Sequence, residues 1–132
     1  MTTYHFSVTV DGGFDAVVQK TKTALDAEGF RVLSEIDVAA TMKERLGLES
    51  PNFLILGASN PQFSLKAVQT DPSIGVLLPF GVVVRENGNG RVIVDFTNPE
   101  KVLSLVDKPG VERLASEIRS RLEMVRDTLA GS

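Results

Sequence analysis

The stretch Ile55-Leu56-Gly57-Ala58-Ser59-Asn60-Pro61, answered by Asp71-Pro72-Ser73-Ile74-Gly75-Val76-Leu77-Leu78-Pro79, constrains the fold of this chain more than any other feature. Two apolar runs of strand length end or begin there at Asn-Pro and Asp-Pro. Proline has no N–H for a ladder and restricts the residue before it, so such pairs punctuate strands. Near-continuous apolar character over residues 52–58, opened by Pro51, predicts a strand buried on both faces or central in a sheet. Residues 74–86 read as one long strand interrupted at Pro79, with a bulge or an edge position expected around Pro79-Phe80-Gly81. Asn60 is expected to cap a helix opening at Pro61, because an Asn side chain accepts orphan backbone N–H groups and proline suits the first helical position.

The flanking segments supply the rest of the sheet and its cover. Tyr4, Phe6, Val8 and Val10 alternate with His5, Ser7 and Thr9, the period of a half-buried strand over residues 3–10. After Asp11-Gly12-Gly13, the residues Phe14, Val17, Val18, Thr21, Ala24 and Leu25 fall at helical spacing until Gly29, a left-handed stop. Phe30, Val32 and Ser34 alternate with Arg31, Leu33 and Glu35 in a second strand, which passes through Ile36-Asp37 into a short helical stretch ending near Gly47. Asn87-Gly88-Asn89-Gly90 predicts a hairpin turn joining 82–85 to Val92, Val94 and Phe96. A short helical turn is expected over 99–106. From Pro109 onward, Val111, Leu114, Ala115, Ile118, Leu122, Val125 and Leu129 keep one apolar stripe up to Gly131.

At 132 residues, 42% of them hydrophobic, the chain is expected to form a single domain, 1–132, around one core. It contains no cysteine, which removes thiolate metal sites, iron-sulfur clusters, cysteine nucleophiles and disulfides from consideration. Lys and Arg number 14 against 17 Asp and Glu, a net charge of -3 with alternating signs, so no basic surface is available to displace counterions from nucleic acid. Residues 1–10 lack the basic and apolar regions of a signal peptide, and no apolar run approaches the roughly 20 residues of a membrane span. The expectation is a cytoplasmic protein with neither a nucleic-acid nor a membrane partner.

Few residues suggest chemistry. His5 is the sole histidine and sits on an alternating strand, where a structural or surface role is expected, and no G-x-S-x-G elbow supplies a serine partner. Gly88-Asn89-Gly90 lies between strands with no helix to receive a phosphate, and reads as a turn. Asp71-Pro72 and Asp107-Lys108-Pro109 read as turn and cap chemistry. Lys43-Glu44-Arg45 and the charges Arg113, Glu117, Arg119, Arg121 and Glu123 read as solvated faces, with Glu117 and Arg121 spaced for an i, i+4 pair.

Taken together, Ile36-Asp37-Val38 with Lys43 and Leu46-Gly47, Ile55-Leu56-Gly57-Ala58 with Asn60-Pro61, and Asp71-Pro72 with Ile74-Gly75, Leu77-Leu78-Pro79 and Val82-Val83-Val84 make the chain resemble the bacterial and archaeal family known as domain of unknown function 302. The resemblance spans residues 14–125. It implies an α+β, two-layer fold of the TATA-binding-protein-like class: a curved antiparallel sheet with helices on one face in β-α-β(4)-α order, here with short helical insertions. Many members carry cysteine where Ser59 and Phe80 stand, and often asparagine where Gly81 stands, so this chain departs from the family at the positions of a thiol-dependent role. The fold name implies no DNA binding, since function resides in sites.

Two functional readings follow. The first is a noncatalytic cytoplasmic module that self-associates as a homodimer and binds a small ligand in the concavity between the sheet and the C-terminal helix, without cofactor or metal. It is motivated by apolar residues on both faces of the Ile55 and Val83 strands. The alternative is a small enzyme acting on an anionic metabolite at a site built from Asn60, Lys43 and Arg85, with the helix N-terminus and two cations holding the anion.

Overall fold

The computed structural model describes residues 3–131. Met1 and Thr2 of the stretch read for a leader, and Ser132 at the end of the expected domain, lie outside the described residues. In chain order the elements are β1 (His5–Val10), α1 (Phe14–Ala27), β2 (Arg31–Asp37), α2 (Val38–Leu46), β3 (Phe53–Ser59), α3 (Pro61–Thr70), a 3-10 helix (Pro72–Leu77), β4 (Phe80–Glu86), β5 (Val92–Thr97), α4 (Pro99–Leu103) and α5 (Val111–Ala130). Setting aside the short insertions, this is the expected β-α-β(4)-α order of an α+β fold.

The strands form one five-stranded sheet in the order β1-β5-β4-β3-β2, antiparallel throughout. Alternation divides its residues between two faces. On one face Leu56, Ala58, Phe80, Val82, Val84, Val92, Val94 and Phe96 are buried. Against them α1 brings Val17, Val18, Thr21, Ala24 and Leu25, and α5 brings its whole predicted stripe from Val111 to Leu129, all buried. These apolar side chains belong to one continuous core cluster. The concavity expected between the sheet and α5 is therefore filled with side chains. On the other face Phe53, Ile55, Val83, Arg85, Ile93 and Asp95 stay half-buried.

Local chemistry explains most boundaries. Gly29 takes φ 84° after α1, and Gly47 takes φ 67° after α2, the left-handed stops the sequence calls for. Asp37 caps α2 by accepting from the Ala40 N–H at 2.9 Å. In the β4–β5 turn, the Asn87 Oδ1 accepts from the backbone N–H of Asn89 (2.9 Å) and Arg91 (3.1 Å), and Gly90 sits at φ 74°. Buried Asn98 caps α4 through Glu100 N–H and donates to the Thr3 carbonyl at 2.8 Å, tying the entry of β1 to the exit of β5.

Four expectations need correction. Residues 74–79 are not strand: Asp71 accepts from the Ser73 N–H at 3.1 Å and Pro72 occupies the first helical position, so the segment winds into a 3-10 helix that buries Ile74. The bulge lies in β2, between Val32 and Ser34, and it resets the alternation there. Asn60 stands at the start of α3 but makes no side-chain cap; its amide donates to the Glu28 carbonyl at 3.3 Å, drawn across by the turn after α1. Glu117 pairs with Arg113 at 3.6 Å, while Arg121 reaches Glu28 at 3.4 Å, because a tertiary carboxylate competes with the local one.

Candidate functional site

The candidate site lies on the sheet face away from α1 and α5, over β4, β5 and β1. The hairpin register sets Val83 opposite Asp95 and Arg85 opposite Ile93, so alternation places Arg85 and Asp95 diagonally on one face. They meet as an ion pair, Arg85 Nε to Asp95 Oδ2 at 2.7 Å. From β1, the Ser7 hydroxyl donates to the other carboxylate oxygen, Oδ1, at 2.5 Å. Burial pushes the Asp95 pKa up, but hydrogen bonds from Arg85 and Ser7 and the charges of Arg85 and His5 outweigh it and hold the carboxyl below its ordinary value.

Around this pair the face forms a concavity of about 470 Å³. Phe53, Val83, Val102 and the ring of Tyr4 give it apolar walls. His5 projects into it, its ring 4.6 Å from that of Tyr4, and its Nδ1 is buried without a hydrogen-bond partner among the described residues. Gly81 leaves the floor open beside Thr97, whose hydroxyl donates to the Gly81 carbonyl at 2.8 Å.

The Asp95 shift has a testable consequence. A carboxyl with a lowered folded-state pKa contributes stability that is complete above its unfolded value, near 3.8. That contribution is lost as pH falls through the lower folded value. Asp95→Asn is therefore expected to cost about 1.5–3 kcal/mol at neutral pH. It is also expected to flatten the acid limb of the stability curve, read from urea midpoints between about pH 2 and 7. An unchanged acid limb would contradict the role assigned to Asp95.

The three residues expected to share an anion site are placed apart. Arg85 pairs with Phe53 at one end of β3, whereas Asn60 follows Ser59 at the other end, on the order of 20 Å away at strand rise. Asn60 lines a separate hollow with Glu28, Gly29 and Arg121. Lys43 lies exposed on α2 and pairs with Glu49 at 3.3 Å. Ser59 and Phe80 have structural surroundings: Ser59 shares a 2.7 Å hydrogen bond with Ser64, and Phe80 packs in the core.

Asp95 and Phe53 join Arg85 in the site although composition and motif did not single them out, and His5, the sole histidine, for which a structural or surface role was expected, lines it too. The signal that could have found Asp95 is the hairpin: the Asn87–Gly90 turn fixes the register, and the register puts Asp95 beside Arg85. Nothing local to the N-terminal strand marks His5, because its pairing with Thr97 joins distant parts of the chain.

Among the described residues, no group of three or more His, Cys, Asp or Glu is placed to hold a metal ion. No helix among them is long and apolar enough to cross a membrane.

Comparison with known proteins accords with the fold. A family model described as domain of unknown function DUF302 matches residues 6–129. The chain is similar to a solved structure, the crystal structure of an uncharacterized conserved protein DUF302 from Bacillus stearothermophilus, with 26% identity and a TM-score of 0.89 over 97% of this chain and 99% of that one. No curated protein matches it.

Proposed function

Because the chain belongs to the DUF302 family, whose description assigns no activity, we propose a role from its surfaces: a noncatalytic module that self-associates as a homodimer through the β2–α2 edge. The observation that carries this reading is that α2 buries none of its nine residues. A helix in a folded protein draws most of its stability from packing an apolar face, and an isolated helix shorter than roughly 12–15 residues is marginal in water. Around α2, Leu33 (67% exposed), Ile36 (52%), Leu46 (64%) and Leu48 (55%) stand open to solvent, and of β2 only Val32 is better than exposed.

A second copy suits this edge on chemical grounds. Its local charges nearly cancel, Arg31, Lys43 and Arg45 against Glu35, Asp37, Glu44 and Glu49, with Lys22 of α1 paired to Glu35, so two copies meet with little net repulsion. Two-fold dimers are also the commonest closed assembly. The separation of Asn60, Lys43 and Arg85 supports the noncatalytic reading over an enzyme with one anionic-substrate site. A net charge of -3 speaks against a nucleic-acid partner, and a chain without cysteine gains nothing from an oxidising compartment, which supports a cytoplasmic location.

Sedimentation velocity over about 1–100 μM is expected to find a species of twice 14.3 kDa. Ile36→Lys and Leu46→Lys should both return it to 14.3 kDa while changing unfolding free energy by no more than about 0.5 kcal/mol, since both sites are exposed in the single chain. A 14.3 kDa species throughout the range would overturn the reading.

A further inference from the structure

We propose that the concavity over β4, β5 and β1 binds a small neutral molecule with a flat apolar body and a carbonyl or amide head. The site shares the open sheet face with Ile36, which the register places two strands from Val83 through Ile55, but the inference does not rest on self-association. Its volume of about 470 Å³ suits a small organic ligand, and its walls, Phe53, Val83, Val102 and Tyr4, suit a flat apolar body. Two polar groups converge on that space. The Arg85 guanidinium is aimed by its 2.7 Å bond to Asp95, and no described residue other than Asp95 engages it, so it retains donors for a ligand oxygen. The His5 ring lines the same space, and its Nδ1, buried and unpaired among the described residues, becomes available to a ligand amide when the ring turns toward the concavity.

Charge decides the head group. Asp95 cancels Arg85, so an anionic head loses to the carboxylate what it gains from the guanidinium and surrenders its own hydration besides. A carbonyl accepts the same Arg85 hydrogen bond at a much smaller desolvation cost. The ligand is therefore neutral, in contrast to the anion expected when Arg85 was grouped with Lys43 and Asn60.

The probes are 2-naphthamide and 2-naphthoate, which share a ring system and differ in head-group charge. Titrated into isotope-labelled protein, 2-naphthamide is expected to shift the His5 imidazole and the backbone amides of Phe53, Val83 and Val102, with a dissociation constant on the order of 1 mM or tighter. The naphthoate is expected to bind about tenfold more weakly. His5→Phe should weaken the amide about fivefold, and Val83→Trp, which fills the concavity from its floor while sparing both polar partners, should abolish binding. The proposal is overturned if the amide fails to bind or shifts residues of the helical layer instead. It is equally overturned if the naphthoate binds as well as the amide, or if Val83→Trp leaves the affinity unchanged in a protein whose spectrum remains folded.

Discussion

Gly57→Val is expected to lower the unfolding free energy by about 3 kcal/mol or more, enough to leave little folded protein if the domain sits in the ordinary 5–15 kcal/mol range. Gly57 lies in the interior strand β3, directly opposite Gly81 of β4, and its backbone needs no unusual φ. The reason for glycine is space. A Cβ there would collide with the Ser34 hydroxyl and stand 2.8 Å from Cγ of Pro79. The hydroxyl is a side-chain end that can turn away, but the proline ring is held by the chain on either side. Gly57→Ala should therefore cost about 1–3 kcal/mol, and adding Ser34→Ala should recover only part of it. Gly81 is the internal control: a Cβ there meets the Thr97 hydroxyl at 3.7 Å, an ordinary contact, so Gly81→Ala should be tolerated. Urea midpoints for the four variants decide the matter. A Gly57→Ala protein as stable as the parent would show that Pro79 yields readily.

Phe96→Ala is expected to cost about 3–5 kcal/mol, the range for emptying a large aromatic site that cannot collapse. Phe96 is fully buried on β5, between β1 and β4. Its strand neighbours in register are Val82 and Phe6, and the two phenyl rings stack with centroids 5.3 Å apart. On α5, the guanidinium groups of Arg119 and Arg126 each lie 5.4 Å from the Phe6 ring centroid, so the aromatic pair links β5, β1 and the C-terminal helix. Removing Phe96 thus leaves a cavity and also loosens Phe6 beneath its two arginines. Phe96→Leu keeps most of the volume and should cost much less, about 1 kcal/mol. A Phe6→Leu/Phe96→Leu double variant is expected to show a coupling of at least about 0.5 kcal/mol, the signature of direct contact. Strict additivity would mean that the stack contributes nothing beyond its buried area.

How much was legible depended on whether a residue's role was settled by its neighbours in sequence. Along α5 every predicted stripe position is buried, because helical period and one apolar face are local properties that a sheet merely has to accept. Gly29, Gly47 and the Asn87–Gly90 turn were readable for the same reason. Residues 74–77 misled because Ile, Val and Leu suit a strand as well as a core-facing turn, and the Asp71-Pro72 start overrode that preference. Asn60 misled because the cap position was read correctly while the tertiary acceptor, the Glu28 carbonyl, lay 32 residues away in sequence.

The candidate site was the least legible part. Arg85 was noted as a residue type, yet its meaning came from Asp95, Ser7 and His5, which reach it only through the β4–β5 and β1–β5 registers. The same registers separate Arg85 from Asn60 and Lys43.

The sequence by itself determined most of the order of strands and helices, the apolar stripe that closes one face of the sheet, and the lack of cysteine, while the class of fold was implied by the resemblance to a family. The order, the stripe and the composition follow from period, punctuation and residue type, which act within a few residues. Only the tertiary structure decided that Gly57 yields its side-chain space to Pro79 and Ser34, that Asp95 neutralises Arg85, and that α2 is left with no fully buried residue. The first two outcomes, and the fact that α2 rests on β3 with none of its residues fully buried, depend on which strands lie side by side and in what register, and pairing energies between distant segments leave no local trace in the chain.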